Sequence, residues 1–285
     1  MTPFELLEPR TLREAAGLLA SGGGSARPLA GGTAVMLMMK MGVLRPERLV
    51  SLRAVESRYS EIRPADGELR LGALATLSAL ERSPEVRRRA PALARALGTL
   101  ANVRVRNVAT LGGHLAHADP HLDLPPLLIA LGASVATVDA KGGRTLPLEN
   151  LYAGYLETAL APGELIAEVS VPEQGARRAA YLKCTTRSLD DWPALGVAAA
   201  LDLDGGRVRE ARIVIGAATD VPTRLHGAEA VLRGACVEDS VLARAADAAA
   251  EEAAIAGDEH GSAEYKRELL RVYVVRAVRQ ALASG

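Results

Sequence analysis

The stretch V-R-N-V-A-T-L-G-G-H-L-A-H-A-D-P-H-L-D-L-P-P-L-L, Val105 to Leu128, decides how this chain is read. A β-branched run (Val103, Val105, Val108) leads into Thr110-Leu111-Gly112-Gly113-His114, and a loop rich in hydrogen-bonding side chains follows. Adjacent glycines let the backbone take conformations closed to other residues and let a ligand lie directly on the main chain. Successive N–H groups in such a turn form a concavity suited to phosphate. Thr110, His114, His117, Asp119 and Asp123 can supply side-chain contacts around it. A second diglycine, in Leu29-Ala30-Gly31-Gly32-Thr33-Ala34-Val35, falls where a short apolar strand should end and an apolar helix begin. Singly, each reads equally well as a tight turn. Together they suit the two ends of a pyrophosphate. Neither fits G-x-G-x-x-G or the Walker pattern, which argues against a Rossmann site and a P-loop.

A-G-G-T before an apolar helix, T-L-G-G-H-L-A-H-A-D-P-H-L-D-L-P-P, and the C-terminal S-A-E-Y-K-R-E-L-L together resemble the FAD-binding medium subunit of molybdenum hydroxylases. That family includes the flavoprotein subunits of carbon monoxide dehydrogenase and bacterial xanthine dehydrogenase, and the likeness runs in order over nearly the whole chain. The resemblance implies an α+β chain. Its FAD-binding domain (1–174) has two α/β subdomains: a small parallel βαβ unit (1–55) and a mixed or antiparallel sheet with helices (56–174). A C-terminal subdomain (175–285) of antiparallel sheet plus helices follows.

The resemblance also implies FAD between the first two subdomains. Leu29, Ala30, Gly31, Gly32, Thr33, Ala34 and Val35, with Thr110, Leu111, Gly112, Gly113 and His114, would contact its pyrophosphate and ribityl portions. His117 and Asp123 would reach it from the loop beyond. Asp123, as an acceptor, suits ribose or ribityl hydroxyls; its other reading is a cap for the helix after it. Ile166 and Lys183 would lie near the isoalloxazine ring, where a lysine stabilises negative charge on a reduced flavin. Trp192 would lie near the flavin or serve structure alone. His114 stands where the family commonly has Asn, and its charge depends on pH. Ala34 stands where a polar or acidic residue is frequent, so one side-chain contact is missing while the backbone cradle survives.

The function implied is electron transfer within a heteromeric enzyme. Substrate would be oxidised at a molybdenum–pterin centre in a large subunit. Electrons would pass through [2Fe–2S] clusters on a small subunit to this FAD, then to NAD⁺, a quinone, another carrier or dioxygen. The alternatives are a stand-alone FAD-dependent oxidase or reductase and a flavin-free interaction or assembly subunit.

Bulk properties narrow the field. The 285 residues suffice for a substantial core and two or three subdomains. Lys plus Arg and Asp plus Glu are equal at 34 each, so no global field recruits nucleic acid or an anionic membrane. Cys184 and Cys236 cannot supply the four thiolates of an iron–sulfur cluster, so any such centre belongs to a partner. The acidic, proline-broken start M-T-P-F-E-L-L-E-P-R is no secretory signal, and no apolar run reaches membrane-spanning length. A cytoplasmic protein is expected. No catalytic triad or paired-carboxylate site is apparent. His114, His117 and His121 are close in sequence, but zinc would want them on a helix with further ligands, and Gly-Gly and Pro120 argue for a loop. The chemistry is expected of the flavin.

The rest of the chain reads as alternating elements. Thr11 with Glu14 predicts a capping box, opening a helix with Leu12, Ala15, Ala16 and Leu19 on one face. Thr33 is expected to cap the next helix, whose methionines read as pliable core filler. Arg48–Leu52 closes this unit as a strand. A hairpin turns at Ala65-Asp66-Gly67. Thr76 and Pro84 open two helices, the second carrying Arg87, Arg88, Arg89 and Arg95 as a solvated face. Pro125–Leu131 is a short buried helix; Ala133–Val138 and Leu165–Val171 are strands. Pro172–Ala176 is the best boundary. Beyond it, Ala180–Thr185, Leu195–Leu203 and Val208–Ala217 form an antiparallel meander, and helices follow at about 225–233, 238–255 and 263–283. In the last, Leu270, Val274, Ala277 and Ala281 share a face, with Lys266, Arg267, Arg271 and Arg279 mostly elsewhere.

Overall fold

Short parallel strands joined through helices open the computed structural model, which describes residues 2–284. β1 (Glu5–Leu7), α1 (Leu12–Gly22), β2 (Ala26–Leu29), α2 (Thr33–Lys40) and β3 (Arg48–Ser51) form a parallel sheet in the order β1-β3-β2. Thr11 caps the helix, its Oγ1 accepting from Glu14 N–H (3.1 Å), while Glu14 Oε2 accepts from Arg10 N–H (2.8 Å), one residue before the amide a capping box uses. Leu12, Ala15, Ala16 and Leu19 are the buried face of α1, as their spacing requires. α2 begins otherwise than expected. Gly32, at φ +75°, is the N-cap and Thr33 the first helical residue, with no side-chain cap. A left-handed cap is open to glycine at little cost, so the main chain rather than a hydroxyl sets this start. Of the methionines on α2 only Met39 is buried, and Leu37 stands 57% exposed, so core filling describes one residue of that helix.

β4 (Ile62–Ala65) and β5 (Glu68–Gly72) make the expected hairpin. The chain then makes six helices before returning to the same sheet: α3 (Leu77–Arg82), α4 (Pro84–Arg89), α5 (Pro91–Thr99), α6 (Val103–Arg106), α7 (Leu111–His117) and α8 (Leu124–Ala130). The single helix expected from Pro84 is two. Pro91 has no N–H to continue the ladder and forces Ala90 out of helical geometry (φ −139°, ψ 63°). Arg88 and Arg89 reach Glu85, and Arg95, exposed as expected of a solvated face, also donates to the Ala179 carbonyl (3.0 Å). The run before Thr110 is the short helix α6, capped by Asn102 Oδ1. Every residue of α8 is buried, with Pro125 and Pro126 in the first turn, where a missing N–H costs nothing.

β6 (Ser134–Val138), β7 (Thr145–Pro147), a two-stranded ribbon of β8 (Tyr152–Gly154) and β9 (Glu157–Thr158), and β10 (Leu165–Pro172) follow. The antiparallel sheet has the order β4-β5-β10-β6-β7. β7 to β9 are too short to carry an alternation, and the sequence reading passed over them.

The last part holds β11 (Arg178–Cys184), β12 (Leu195–Asp204), β13 (Arg207–Gly216) and β14 (Thr223–Arg224) in sequential antiparallel order. α9 (His226–Leu232), α10 (Asp239–Glu252) and α11 (Ala263–Ala283) complete it. β12 is buried on both faces. Leu195, Val197, Ala199 and Leu201 pack under α9–α11, while Ala198 and Ala200 join the core around α8. The α+β architecture is that expected, with a parallel unit, an antiparallel sheet with helices, and a meander under helices. Lys266 departs from expectation: it lies on the buried face of α11 with no exposure, donating to Asp258 Oδ2 (2.6 Å) and the Ala217 carbonyl (3.0 Å). No described helix is long and apolar enough to cross a membrane.

Because α8 lies in the core shared by the antiparallel sheet and β12, Leu127→Ala leaves a cavity there and costs about 3 kcal/mol. The urea midpoint is expected to fall with the slope unchanged; an unaltered midpoint contradicts this packing.

Candidate functional site

The two diglycine segments meet. A Cβ on Gly31 would lie 2.0 Å from the Val108 carbonyl oxygen and 2.8 Å from Ala109 Cα, and one on Gly113 would lie 3.6 Å from Ala30 Cβ. Only glycine permits the first approach. Beyond it, the N–H groups of Gly31, Gly32, Thr33, Ala34 and Val35 find no acceptor among the described residues, and the first helical bond is Met36 N–H to Gly32 O (2.9 Å). Helix starts leave such donors orphaned, and with left-handed Gly32 they make a continuous anion cradle.

The second diglycine works differently from expectation. Thr110 to His114 is no open loop but the capped first turn of α7. Leu111 N–H donates to Ala75 O (3.0 Å), Gly112 N–H to Ala73 O (2.7 Å), and Gly113 N–H to Thr110 Oγ1 (3.2 Å). These amides are spoken for, so they form no second N–H concavity. A Cβ on Gly112 would lie 2.7 Å from that of Ala73, so this glycine serves helix packing. Gly113 is exposed and offers a bare main-chain surface beside Ala30.

His114 and His117 lie on α7, on a helix after all. Burial, reinforced by His117, holds the His114 imidazole down at about 3, so it is neutral through the physiological range. Its Nε2 is buried without a hydrogen-bond partner, the condition in which a ligand atom completes a site. Asp123 makes no cap bond to α8. It is buried, its Oδ1 accepting from the Tyr181 hydroxyl (2.7 Å) and its Oδ2 from Lys183 Nζ (2.9 Å). Burial pushes the Asp123 carboxyl above its ordinary value, opposed by Lys183 and Tyr181. Burial and the neighbouring Asp123 hold the Tyr181 phenol well above its own. Lys183 is a buried ammonium that also donates to the Asp191 carbonyl (3.2 Å). Ile166 is packed in the core with Leu111 and Leu115, at a bulge in β10. Trp192, 48% exposed, lies stacked on His121 with ring centroids 5.4 Å apart.

Tyr181 and Gly196 escaped the sequence reading. Tyr181 and Lys183, two residues apart, share a face of β11. A Cβ on Gly196, the strand partner of Lys183, would fall 2.4 Å from the Tyr181 hydroxyl. That glycine gives Tyr181 room to reach Asp123. Free main-chain donors, bare glycine surface and an orphaned imidazole nitrogen form a donor set that fits a dinucleotide's diphosphate.

The family described as "FAD binding domain in molybdopterin dehydrogenase" matches residues 2–174, and "CO dehydrogenase flavoprotein C-terminal domain" matches 180–281. The chain is 32% identical over 280 residues to the 6-hydroxypseudooxynicotine dehydrogenase complex subunit alpha of Paenarthrobacter nicotinovorans, covering 98% of this chain and 94% of that one. Its fold superposes with a TM-score of 0.96 and 34% identity on a chain of carbon monoxide dehydrogenase from Hydrogenophaga pseudoflava, in a form lacking the Mo-pyranopterin moiety of the molybdenum cofactor. That match covers 100% of this chain and 99% of the other. Quinoline 2-oxidoreductase from Pseudomonas putida 86 matches with a TM-score of 0.93 and 31% identity, over 99% and 98% of the two chains. Family match, end-to-end relatives and the cradle agree: the chain belongs to the FAD-binding medium subunits of the molybdenum hydroxylases.

Proposed function

We propose that this subunit relays electrons from [2Fe–2S] clusters of a small partner subunit, through its FAD, to NAD⁺ or another acceptor, after oxidation of substrate at a molybdenum–pterin centre in a large subunit. The observation that carries the reading is the run of N–H groups from Gly31 to Val35 that find no acceptor among the described residues, next to Ala30, whose Cβ lies 3.6 Å from where one on Gly113 would be. The printed names of relatives, "medium chain" and "complex subunit alpha", support a place among partner subunits. FAD supplies the redox chemistry, accepting and releasing electrons in one- or two-electron steps.

The chain's own residues bind and tune. The Gly31–Val35 amides hold the diphosphate, with the positive end of α2 behind them. Gly113 lets the cofactor lie on main chain, and His114 Nε2 finds its missing partner there. Lys183, paired with Asp123 at 2.9 Å, would direct positive charge toward the ring, with Ile166 and His117 in the surroundings. The boundary near residues 172–176 divides the cradle from the strands that bring Lys183. The cysteines Cys184 and Cys236 are both free, which suits the reducing cytoplasm.

Two glycine variants separate cradle from packing. Gly113→Val puts a branched side chain on the exposed surface, and the purified variant is expected to lose its flavin bands while keeping its far-UV circular dichroism. Retention of flavin near one per chain contradicts the placement. Gly31→Ala drives a Cβ into the Val108 carbonyl, and a lowered thermal midpoint, by about 2–3 kcal/mol of stability, is expected whether or not FAD is added. Lys183→Gln removes the fixed positive charge and leaves Asp123 unneutralised. Redox titration of the bound flavin is expected to give a more negative midpoint, by about 60 mV, a tenfold effect on a one-electron equilibrium; an unchanged midpoint removes Lys183 from the tuning role.

A further inference from the structure

His121 lies in the loop between α7 and α8, between two carboxylates. Its Nδ1 lies 3.1 Å from Asp119 Oδ1, and its Nε2 lies 2.9 Å from Asp258 Oδ2, in the turn before α11. A neutral imidazole carries one N–H, so one of these contacts would set a ring lone pair against a carboxylate oxygen. Only the imidazolium donates to both. Charge balance agrees: Asp258 already pairs with the fully buried Lys266, Asp119 has no cationic partner but His121 among the described residues, and a protonated His121 makes the group neutral.

The other groups around the ring do not change this. His117 precedes it on the same segment, and Asp123 follows but is occupied by Tyr181 and Lys183. On the 256–262 turn, His260 tilts against the ring at 5.2 Å between centroids, its Nε2 3.9 Å from Glu259 Oε1. On the 187–192 loop, Asp191 pairs with Arg187 (3.3 Å) and Asp190 accepts from Ser188, leaving the indole of Trp192 as the group on the imidazole face. The main chain of the loop is tied down separately, by Ala217 N–H to Pro120 O (2.8 Å).

We propose that His121 is a positioning residue: as an imidazolium clamped between Asp119 and Asp258, it fixes the loop that presents Asp123 and holds Trp192 flat beside the flavin cleft. Burial pulls its pKa down, and the hydrogen bonds to Asp119 and Asp258 outweigh that, so the net shift is upward from 6.5. A group whose folded pKa is raised contributes fully below its unfolded value and loses that contribution as pH rises through the folded one. The clamp therefore holds at pH 6.5, where both lowered carboxyls are ionised, and opens as pH rises through the raised imidazole value. Opening frees the indole and slackens the Asp123 loop, and FAD leaves faster. This last consequence rests on the flavin reading above; the clamp itself does not.

The chain has a single tryptophan, so its emission reports this contact alone. In the full chain freed of flavin, an imidazolium stacked on the indole quenches it. Emission is expected to rise in one transition centred above pH 6.5, to lose that transition in His121→Gln, and to keep it in His260→Gln. After FAD is added back, release at pH 9 is expected to be severalfold faster than at pH 6.5. His121→Gln is expected to release FAD at the fast rate at both pH values. A transition surviving in His121→Gln, or wild-type release equal at both pH values, overturns the proposal. If the wild type takes up no FAD, the flavin reading fails while the emission still decides the clamp. Should His121→Gln not fold, NMR titration of the wild-type histidine rings decides: one ring still cationic above pH 6.5 supports the clamp, and none overturns it.

Discussion

Main chain touching main chain at Gly31 and Val108 is the constraint on which the site depends. With a Cβ excluded by a 2.0 Å approach, the turn after β2 is pressed against the segment that enters α7, and the parallel unit is locked to the antiparallel one. That contact also fixes where α2 begins. Gly32 is left-handed, and the first amides of α2 find no acceptor among the described residues. Such donors are tolerable only where water or a ligand reaches them. The residues that carry them are half-buried or exposed, and an anion replaces that water without further reorganisation.

The fold was legible wherever burial follows a local period. The face of α1, the meander and the apolar side of α11 all sit where alternation or helical spacing put them. The diglycines were legible as a place where main chain is approached, but not which partner approaches. Gly31 and Gly112 admit protein, while Gly113 keeps an exposed face. Thr110, read in the sequence as a side chain for a ligand, is also the cap of α7. A short helix that opens on two glycines has poor intrinsic propensity, and packing of Leu111 and Leu115 in the core decides it.

What stayed hidden is set by contacts that no period encodes. His121 and Asp258 are 137 residues apart, and Asp123 and Lys183 are 60 apart. Lys266 shows the same limit from the other side. Its charge argued for solvent, and its position, one turn before Leu270, argued for the core. Position prevailed because Asp258 and the Ala217 carbonyl answer the ammonium there.

These hidden pairs also say what the C-terminal part is for. Buried ion pairs are weak sources of stability, since desolvation offsets their attraction, but removing one partner is costly, so each holds its segments in a definite relation. Here both pairs run from the stretch after α7 to residues beyond 180: Asp123 to Lys183 and Tyr181, and His121 to the turn that Lys266 anchors. The family match over residues 2–174 contains the amide cradle but not the groups that orient the loop beside it. The meander and the last helix are thereby tied to the segment after α7, far from them in sequence.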